Sequence, residues 1–161
     1  MEIALLWPLG LTVLLAIGAY TDVTARRLPN WLSLALLVSG LVFAATQGGW
    51  SGLGWHAAHA AIALLVGMAL FATGGIGGGD AKFYTGLAAW FALADGLDLL
   101  LWVSIAGIVL ILGWIVLKRT AMSGREKPEG DFAKFPYGLA IAVGGMITAW
   151  LPLVGAAPSG A

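Results

Sequence analysis

The chain has 161 residues, of which 60% are hydrophobic and 10% are charged, and its formal net charge is zero. Because a soluble domain carries about 25% charged residues, most of this chain is expected to be surrounded by lipid rather than water. The zero net charge gives no indication of nucleic-acid binding. The lack of cysteine excludes disulfides, thiolate zinc sites and cysteine nucleophiles. The composition therefore indicates a polytopic membrane protein.

Six apolar stretches approach the length of about 20 residues that a transmembrane helix needs. They cover residues 3–20, 31–45, 57–73, 81–94, 97–117 and 136–153. The N-terminal sequence lacks the basic region of a cleavable signal peptide, so the first stretch is interpreted as a retained helix. Asn30 is a candidate N-cap of the second helix, and Pro136 suits the first position of the sixth. The sequence thus predicts an all-α membrane protein, with one six-helix domain over residues 1–155 and a flexible tail over residues 156–161.

The basic residues predict how this domain is oriented, because Lys and Arg gather in the cytoplasmic loops of membrane proteins. All eight fall in the first, third and fifth predicted loops: Arg26, Arg27, Lys82, Lys118, Arg119, Arg125, Lys127 and Lys134. The second and fourth loops have none. We therefore expect six spans with both termini outside the cytoplasm, and we interpret Arg26 and Arg27 as topology anchors rather than catalytic groups.

Two aspartates lie at helix ends on the predicted cytoplasmic side. Asp22 ends the first helix, and Asp80 follows a run of glycines and begins the fourth. An ionisable residue in a membrane is costly and is by default a candidate for function. Two neighbouring carboxylates do not both ionise easily, so one can take a proton from water while the other polarises a carbonyl group. The pair suits aspartic-protease chemistry, which needs no metal.

Each aspartate also has a plainer interpretation. A single Asp at a helix end is commonly a cap or an interfacial charge, and a glycine run can be only a packing motif. If both are catalytic, the helix dipole favours an anion at Asp80, at a helix N-terminus, and disfavours one at Asp22, at a C-terminus. We therefore expect Asp22 to be the more often protonated partner.

Three sequence motifs contain the two aspartates and the beginning of the last predicted helix. Residues 77–82, Gly-Gly-Gly-Asp-Ala-Lys, match the G-x-G-D-x-K pattern of the type IV prepilin leader peptidases, and the other two motifs resemble that family as well. Residues 22–30, which run from the first aspartate to Pro-Asn, resemble its first aspartate motif. Residues 135–141, Phe-Pro-Tyr-Gly-Leu-Ala-Ile, resemble the Pro-Tyr-Gly signature of its last helix. The motifs occur in the family's order and together span most of the chain.

The resemblance implies an aspartic endopeptidase of the bacterial inner membrane that removes a short basic leader from prepilins or pseudopilins at the cytoplasmic face. It implies catalytic roles for Asp22 and Asp80 and no cofactor. Loop-shaping or substrate-binding roles are implied for the other matched positions: Gly77, Gly79, Lys82, Pro136, Tyr137 and Gly138. Bifunctional members add a methylating domain with paired Cys-x-x-Cys motifs. This cysteine-free chain is similar to the short peptidase-only form of Flp (tight-adherence) pilus systems, so N-methylation is not expected.

Several alternatives stay open at this point. Lys82 either binds substrate or is an ordinary anchoring lysine. His56 and His59 are spaced i, i+3 without a further ligand nearby, so a metal site there is not expected. The loop over residues 120–134 either contacts the precursor or, as we favour, is a linker. The rival functions are a G-x-G-D protease of another substrate class and a non-enzymatic ion-coupled transporter or membrane-complex subunit. The lack of an inverted repeat counts against the transporter.

Overall fold

The computed structural model describes residues 2–121 and 136–155, and this part of the chain is helical with no strand. It contains α1 (Glu2–Ala25), α2 (Asn30–Ala72), α3 (Gly78–Ala88), a 3-10 turn (Leu93–Asp95), α4 (Gly96–Ala121) and α5 (Tyr137–Gly155). The predicted all-α fold class is confirmed. The predicted tail and most of the loop over residues 120–134 lie outside the described residues.

Within residues 2–121 and 136–155, four segments are long and apolar enough to cross a membrane, and they are Leu5–Ala25, Asn30–Ala72, Leu93–Leu117 and Tyr137–Val154. Many large apolar side chains on them are exposed, among them Val13, Leu65 and Val109. Apolar surface of this extent marks contact with a membrane rather than with water. The predicted membrane architecture is thus confirmed in outline, whereas the count of six spans and the location of the termini stay predictions.

The longest helix, α2, has 43 residues and is interrupted at Gly49, where φ is 57° and ψ is −145°. A straight helix of this length would measure about 65 Å, roughly twice the thickness of the hydrocarbon core. Both of its ends lie beside the start of α3. Asn30 is bonded to Lys82, and the ring of Phe71 lies 3.3 Å from the position that a Cβ on Gly78 would occupy. The helix therefore folds back at Gly49 as a hairpin, whose two halves correspond to the second and third predicted spans.

The short helix α3 packs into this hairpin. It has 11 residues and is shorter than the predicted helix over residues 81–94, because the chain turns after Ala88. Glycines allow α3 to approach both halves of α2 closely. A Cβ on Gly86 would lie 2.6 Å from the carbonyl oxygen of Ser33 in the first half, and a Cβ on Gly67 in the second half would lie 3.1 Å from Cβ of Ala81. The hairpin thus holds α3, whose first turn contains one of the two candidate aspartates.

The hydrophobic core lies where α3 meets α1, α2 and α4. Its largest fully buried side chains are Phe83, Leu11, Leu15, Leu32, Leu36, Leu87 and Leu99. At the end of the bundle away from Asp22, the rings of Trp7, Phe43 and Trp90 form an aromatic cluster with centroids 5.5–6.3 Å apart. Aromatic rings at these separations attract one another beyond the area that they bury. The core and the aromatic cluster together pack α3 against the other helices of the bundle.

Candidate active site

Asp22 is buried near the end of α1, with only 7% of its surface exposed. Its Oδ2 accepts a hydrogen bond of 3.2 Å from the backbone N–H of Leu139, in the first turn of α5. The first N–H groups of a helix have no partner within the helix and favour an anion. Gly138 makes the approach possible, because a Cβ there would lie 2.8 Å from Oδ2. The carboxylate of Asp22 therefore caps α5.

This cap bears on the expected difference in protonation between the two aspartates, which stays a prediction. The C-terminal end of α1 disfavours a negative charge at Asp22, as the sequence indicates, but the N-terminal end of α5 favours one at the same carboxylate. The helix dipoles therefore no longer support the expectation that Asp22 is the more often protonated partner. That expectation lacked the contact between α1 and α5, which joins residues more than a hundred positions apart.

Asp80 is half-buried in the first turn of α3, outside the four segments that can span a membrane. The backbone N–H of Gly77 donates a hydrogen bond to its carboxylate. Burial and, after it, the negative charge of Asp22 raise the pKa of Asp80 from the ordinary value of 3.8 to about 6, against the bond from Gly77, which lowers it. Because the charge of Asp22 acts on Asp80, the two carboxylates lie within electrostatic reach of each other. The structure thus brings the two candidate residues together.

The first and last glycines of the G-x-G-D motif have different surroundings. A Cβ on Gly77 would lie 2.7 Å from Oδ2 of Asp80, so a larger residue there displaces this carboxylate. A Cβ on Gly79 would make an ordinary contact of 3.6 Å with Cβ of Leu28. The carboxylate therefore keeps its place only with glycine at the first position, whereas the last position has room for a Cβ. Gly74, with φ of 77°, supplies the left-handed residue in the turn before α3.

Lys82 links the first two motifs. Its Nζ donates a hydrogen bond of 3.1 Å to Oδ1 of Asn30 in an exposed position. The predicted N-cap role of Asn30 is wrong, because Pro29 is the N-cap residue and Asn30 is already helical. The side chain of Asn30 is thus available to hold Lys82. Sequence reasoning missed this contact, which ties the beginning of α3 to the beginning of α2.

The Pro-Tyr-Gly residues surround the beginning of α5. Pro136 is buried and directly precedes the helix, whose first residue is Tyr137 rather than Pro136 as predicted. Gly138 lies against Asp22, and Tyr137 is 47% exposed. Pro136 and Gly138 therefore lie where α5 begins beside Asp22, and Tyr137 lines the apolar groove that is described next.

This apolar groove has a volume of about 550 Å³ and runs between the second half of α2 and α4, with α3 and α5 behind it. Val66 and Leu70 line it from α2, and Leu100 and Ile108 line it from α4. Asp80 is also among its lining residues. A groove of this kind suits an apolar helix that lays one face against it. The arrangement can hold an apolar helical segment with an ionisable carboxyl group within its reach.

Two further residues belong to the surroundings of the pair. Tyr84 lies one turn after Asp80 and lines the same groove. Its i, i+4 spacing from Asp80 indicates from the sequence alone that both side chains lie on one face of α3.

Arg26 lies at the end of α1 with a left-handed φ of 52°, and its guanidinium carbon is 5.5 Å from the ring centroid of Trp114 in α4. The sequence indicates that Arg26 is a topology anchor, and the structure adds a cation–π contact with Trp114 that connects the end of α1 to α4.

The chemistry available to Asp22 and Asp80 is acid–base chemistry. One carboxylate of such a pair can accept a proton from water, and the other, when protonated, can donate a hydrogen bond to a carbonyl oxygen. Among the described residues, no group of three or more His, Cys, Asp or Glu side chains could hold a metal ion.

Comparison with known families agrees with this arrangement. The sequence model of the type IV leader peptidase family matches residues 9–112, more than half of the chain, and the match includes both Asp22 and Asp80. The Pro-Tyr-Gly residues lie beyond the matched region. No match was found among curated proteins or among solved structures. The chain belongs to the type IV leader peptidase family.

Proposed function

We propose that the chain is an intramembrane aspartic endopeptidase that removes the short basic leader from type IV or Flp-type prepilins and pseudopilins. Cleavage takes place at the cytoplasmic face of the bacterial inner membrane, and the product is not N-methylated, because the sequence has no cysteine for the paired Cys motifs of bifunctional members. The observation that supports the proposal is that Asp22, near the end of α1, lies close enough to Asp80, in the first turn of α3, for its charge to raise the pKa of Asp80. Family membership supports leader-peptidase chemistry.

In this mechanism Asp22 and Asp80 share one proton. The ionised carboxylate accepts a proton from a water molecule as the water attacks the scissile carbonyl carbon, and the protonated carboxyl donates a hydrogen bond to the carbonyl oxygen. The tetrahedral intermediate then collapses as the amine leaving group takes a proton from the pair. The backbone N–H groups of Leu139 and Gly77 orient the two carboxylates throughout.

The apolar groove is the docking place for the hydrophobic helix that follows the cleavage site in a prepilin. Its walls on α2 and α4 are apolar, and Asp80 lies among the residues that line it. A helix that enters laterally from the bilayer can lay an apolar face between Leu70 and Ile108 while its leader reaches the carboxyl groups. Tyr84 and Tyr137 add hydroxyl groups along this path.

The orientation follows from the basic residues at the same end of the bundle. Arg26 lies one turn beyond Asp22, and Lys82 lies two residues beyond Asp80. Basic residues gather on the cytoplasmic side, so we place the aspartate pair there. The hairpin in α2 then turns at Gly49 outside the cytoplasm, and both termini lie outside as well. Cysteine labelling at Gly48, with a membrane-impermeant reagent applied to intact cells, tests this placement.

Co-expression with prepilins from the same gene neighbourhood tests the activity. Wild type is expected to shorten a precursor, seen as a mobility shift on a gel, and Asp22→Asn and Asp80→Asn are expected to abolish the shift at normal expression. Asp98→Asn is the matched control, because Asp98 lies in the first turn of α4 and lines a pocket with the aromatic cluster, at the end of the bundle away from Asp22. Cleavage by either variant of the pair would contradict the proposal. Proton flux in liposomes without cleavage of any precursor would favour transport instead.

A further inference from the structure

His56 and His59 lie one turn apart in the second half of α2, and both rings contact the backbone at the far end of α3. Nδ1 of His56 is 2.9 Å from the carbonyl oxygen of Ala89, and Nδ1 of His59 is 3.0 Å from that of Phe91. Because a carbonyl oxygen only accepts hydrogen bonds, Nδ1 carries the hydrogen in both rings. The proposed acid–base chemistry does not use these two histidines.

The two histidines supply the end of α3 with a cap that the backbone alone does not provide. The last carbonyl groups of a helix lack partners within it, and a glycine with positive φ commonly closes the end. Here Ala89 follows the helix with φ of −63° and ψ of −14°, in the right-handed region. The N–H groups of Trp90 and Phe91 bond the carbonyls of Leu87 and Ala88 at 3.0 and 3.1 Å. The histidines then bind the carbonyls of Ala89 and Phe91.

Trp90 adds a third hydrogen bond at this end, since its Nε1 donates to the carbonyl oxygen of Leu36 at 3.0 Å. Leu36 lies in the first half of α2, whereas the histidines lie in the second, so the end of α3 is fastened to both halves of the hairpin. The opposite end of α3, which contains the candidate aspartate, follows a turn that contains Gly74. At this end, an exposed hydrogen bond joins Lys82 to Asn30 of α2. Three hydrogen bonds from side chains therefore hold the far end of α3 to α2.

We infer that His56 and His59 are positioning residues for Asp80, which fix the far end of α3 and thereby set the place of its first turn relative to Asp22. The inference rests on the proposed function. Asp80 and Ala89 are nine residues apart along one helix, or about 14 Å. A displacement of the anchored end is therefore carried to the carboxyl group. A misplacement of about 1 Å at a reacting group can cost about 10²-fold in rate.

Two kinds of substitution distinguish the effect of the histidine hydrogen bond on the rate from the effect of the ring's volume. Asparagine carries an amide N–H close to the position of the histidine Nδ1–H, so His56→Asn and His59→Asn keep the donor. His56→Leu and His59→Leu fill the space without it. The double leucine variant is expected to lower kcat for precursor cleavage about tenfold or more, with a smaller change in KM because His59 also lines the groove. The double asparagine variant is expected to recover most of kcat. A wild-type kcat in the double leucine variant would overturn the inference.

Two further measurements do not depend on cleavage. Amide hydrogen exchange in α3 is expected to be faster in the leucine variants than in wild type, and infrared titration of Asp80 is expected to show a changed midpoint; asparagine restores both. Faster exchange with an unchanged kcat and an unchanged titration would make the histidines merely structural and overturn the inference. If wild type cleaves no precursor, the proposed function fails, and the titration alone decides whether the histidines position Asp80.

Single variants keep the inference testable where the double leucine variant does not fold. Each single change, His56→Leu or His59→Leu, removes one of the two carbonyl contacts and is expected to lower kcat less than the double change does. A melting temperature measured beside each rate shows that the protein is folded. Wild-type rates in both single variants would overturn the inference.

Discussion

Gly138 lies against Asp22 so closely that a Cβ at this position would be 2.8 Å from Oδ2 and 3.0 Å from Cγ of the carboxylate. Glycine therefore allows the first turn of α5 to bind Asp22 through the N–H of Leu139. Gly138→Ala is expected to displace the carboxylate and to lower kcat about tenfold or more, with a smaller effect on KM. Initial cleavage rates at several precursor concentrations provide the measurement.

Gly113→Ala is the matched control for this change. Gly113 lies in α4, and a Cβ there would meet nothing within 4 Å. Alanine also has the higher helix propensity, so this variant is expected to keep the wild-type rate and stability. Equal rates for Gly138→Ala and Gly113→Ala would show that the close contact with Asp22 has no part in catalysis.

The two outer glycines of the G-x-G-D motif are expected to respond differently to alanine. Gly77→Ala places a Cβ 2.7 Å from Oδ2 of Asp80, so the carboxylate or the turn must shift and the rate is expected to fall at least tenfold. Gly79→Ala makes an ordinary contact of 3.6 Å with Leu28 and is expected to keep most of the activity. Cleavage assays on the two purified variants, each with its melting temperature, make the comparison. The reverse order of rates would contradict the assignment of Gly77 to the carboxylate.

The sequence predicted the fold class better than it predicted the contacts around the two aspartates. The all-helical membrane architecture follows from composition and apolar length, which need no knowledge of partners. The contacts of Gly138 with Asp22 and of Lys82 with Asn30 join distant segments, and local patterns do not show them. For the same reason, the sequence indicates the effect of the α1 dipole on Asp22 but not the effect of the α5 dipole.

Helix lengths were also only partly predictable. The second and third predicted spans are continuous in the structure except at Gly49, because the polar and glycine residues between them still form helix. The fourth predicted span was too long, because residues after Ala88 are as apolar as those before it and nothing in their composition marks the turn. The turn after α3 contacts His56 and His59, whose partners are backbone carbonyls that a sequence does not display.

The pKa of Asp80, about 6 in the folded protein, predicts a dependence of stability on pH. The folded state keeps a proton that the unfolded chain releases near the ordinary value of 3.8. Above that value the folded protein binds more protons than the unfolded one, so the free energy of unfolding falls as pH rises from about 4 to about 6. Asp80→Asn is expected to remove this contribution. Melting temperatures across the pH range, in wild type and in the variant, provide the measurement.

The cause of this pKa shift can be tested separately. Burial is the larger cause and the charge of Asp22 the smaller, so Asp22→Asn is expected to lower the pKa of Asp80 below about 6 while leaving it above 3.8. Infrared titration of the protonated carboxyl band in the variant reports this value. An unchanged midpoint in Asp22→Asn would show that the two carboxylates do not interact, and it would remove the main support for a catalytic pair.

The bond between Lys82 and Asn30 separates an anchoring role from a substrate-binding role for the lysine. If Lys82 acts only through Asn30, then Lys82→Met, Asn30→Ala and the double variant are expected to lose the same amount of activity. The loss of stability is expected to stay below about 1 kcal/mol, because the bond is exposed. Cleavage rates for the four proteins complete the cycle. A further loss in the double variant relative to Asn30→Ala would instead indicate that Lys82 contacts the precursor.

The groove between α2 and α4 predicts where a bulky residue blocks the substrate. Ser104 lines the groove from α4, so Ser104→Trp is expected to fill part of its volume of about 550 Å³ and to raise KM for the precursor about tenfold with a smaller change in kcat. Val109 lies on the same helix, is 61% exposed and does not line the groove, so Val109→Trp is the matched control. Ser104→Ala controls for the loss of the hydroxyl, which bonds the carbonyl of Leu100. A wild-type KM in Ser104→Trp would mean that the apolar helix of the precursor reaches Asp80 by another path.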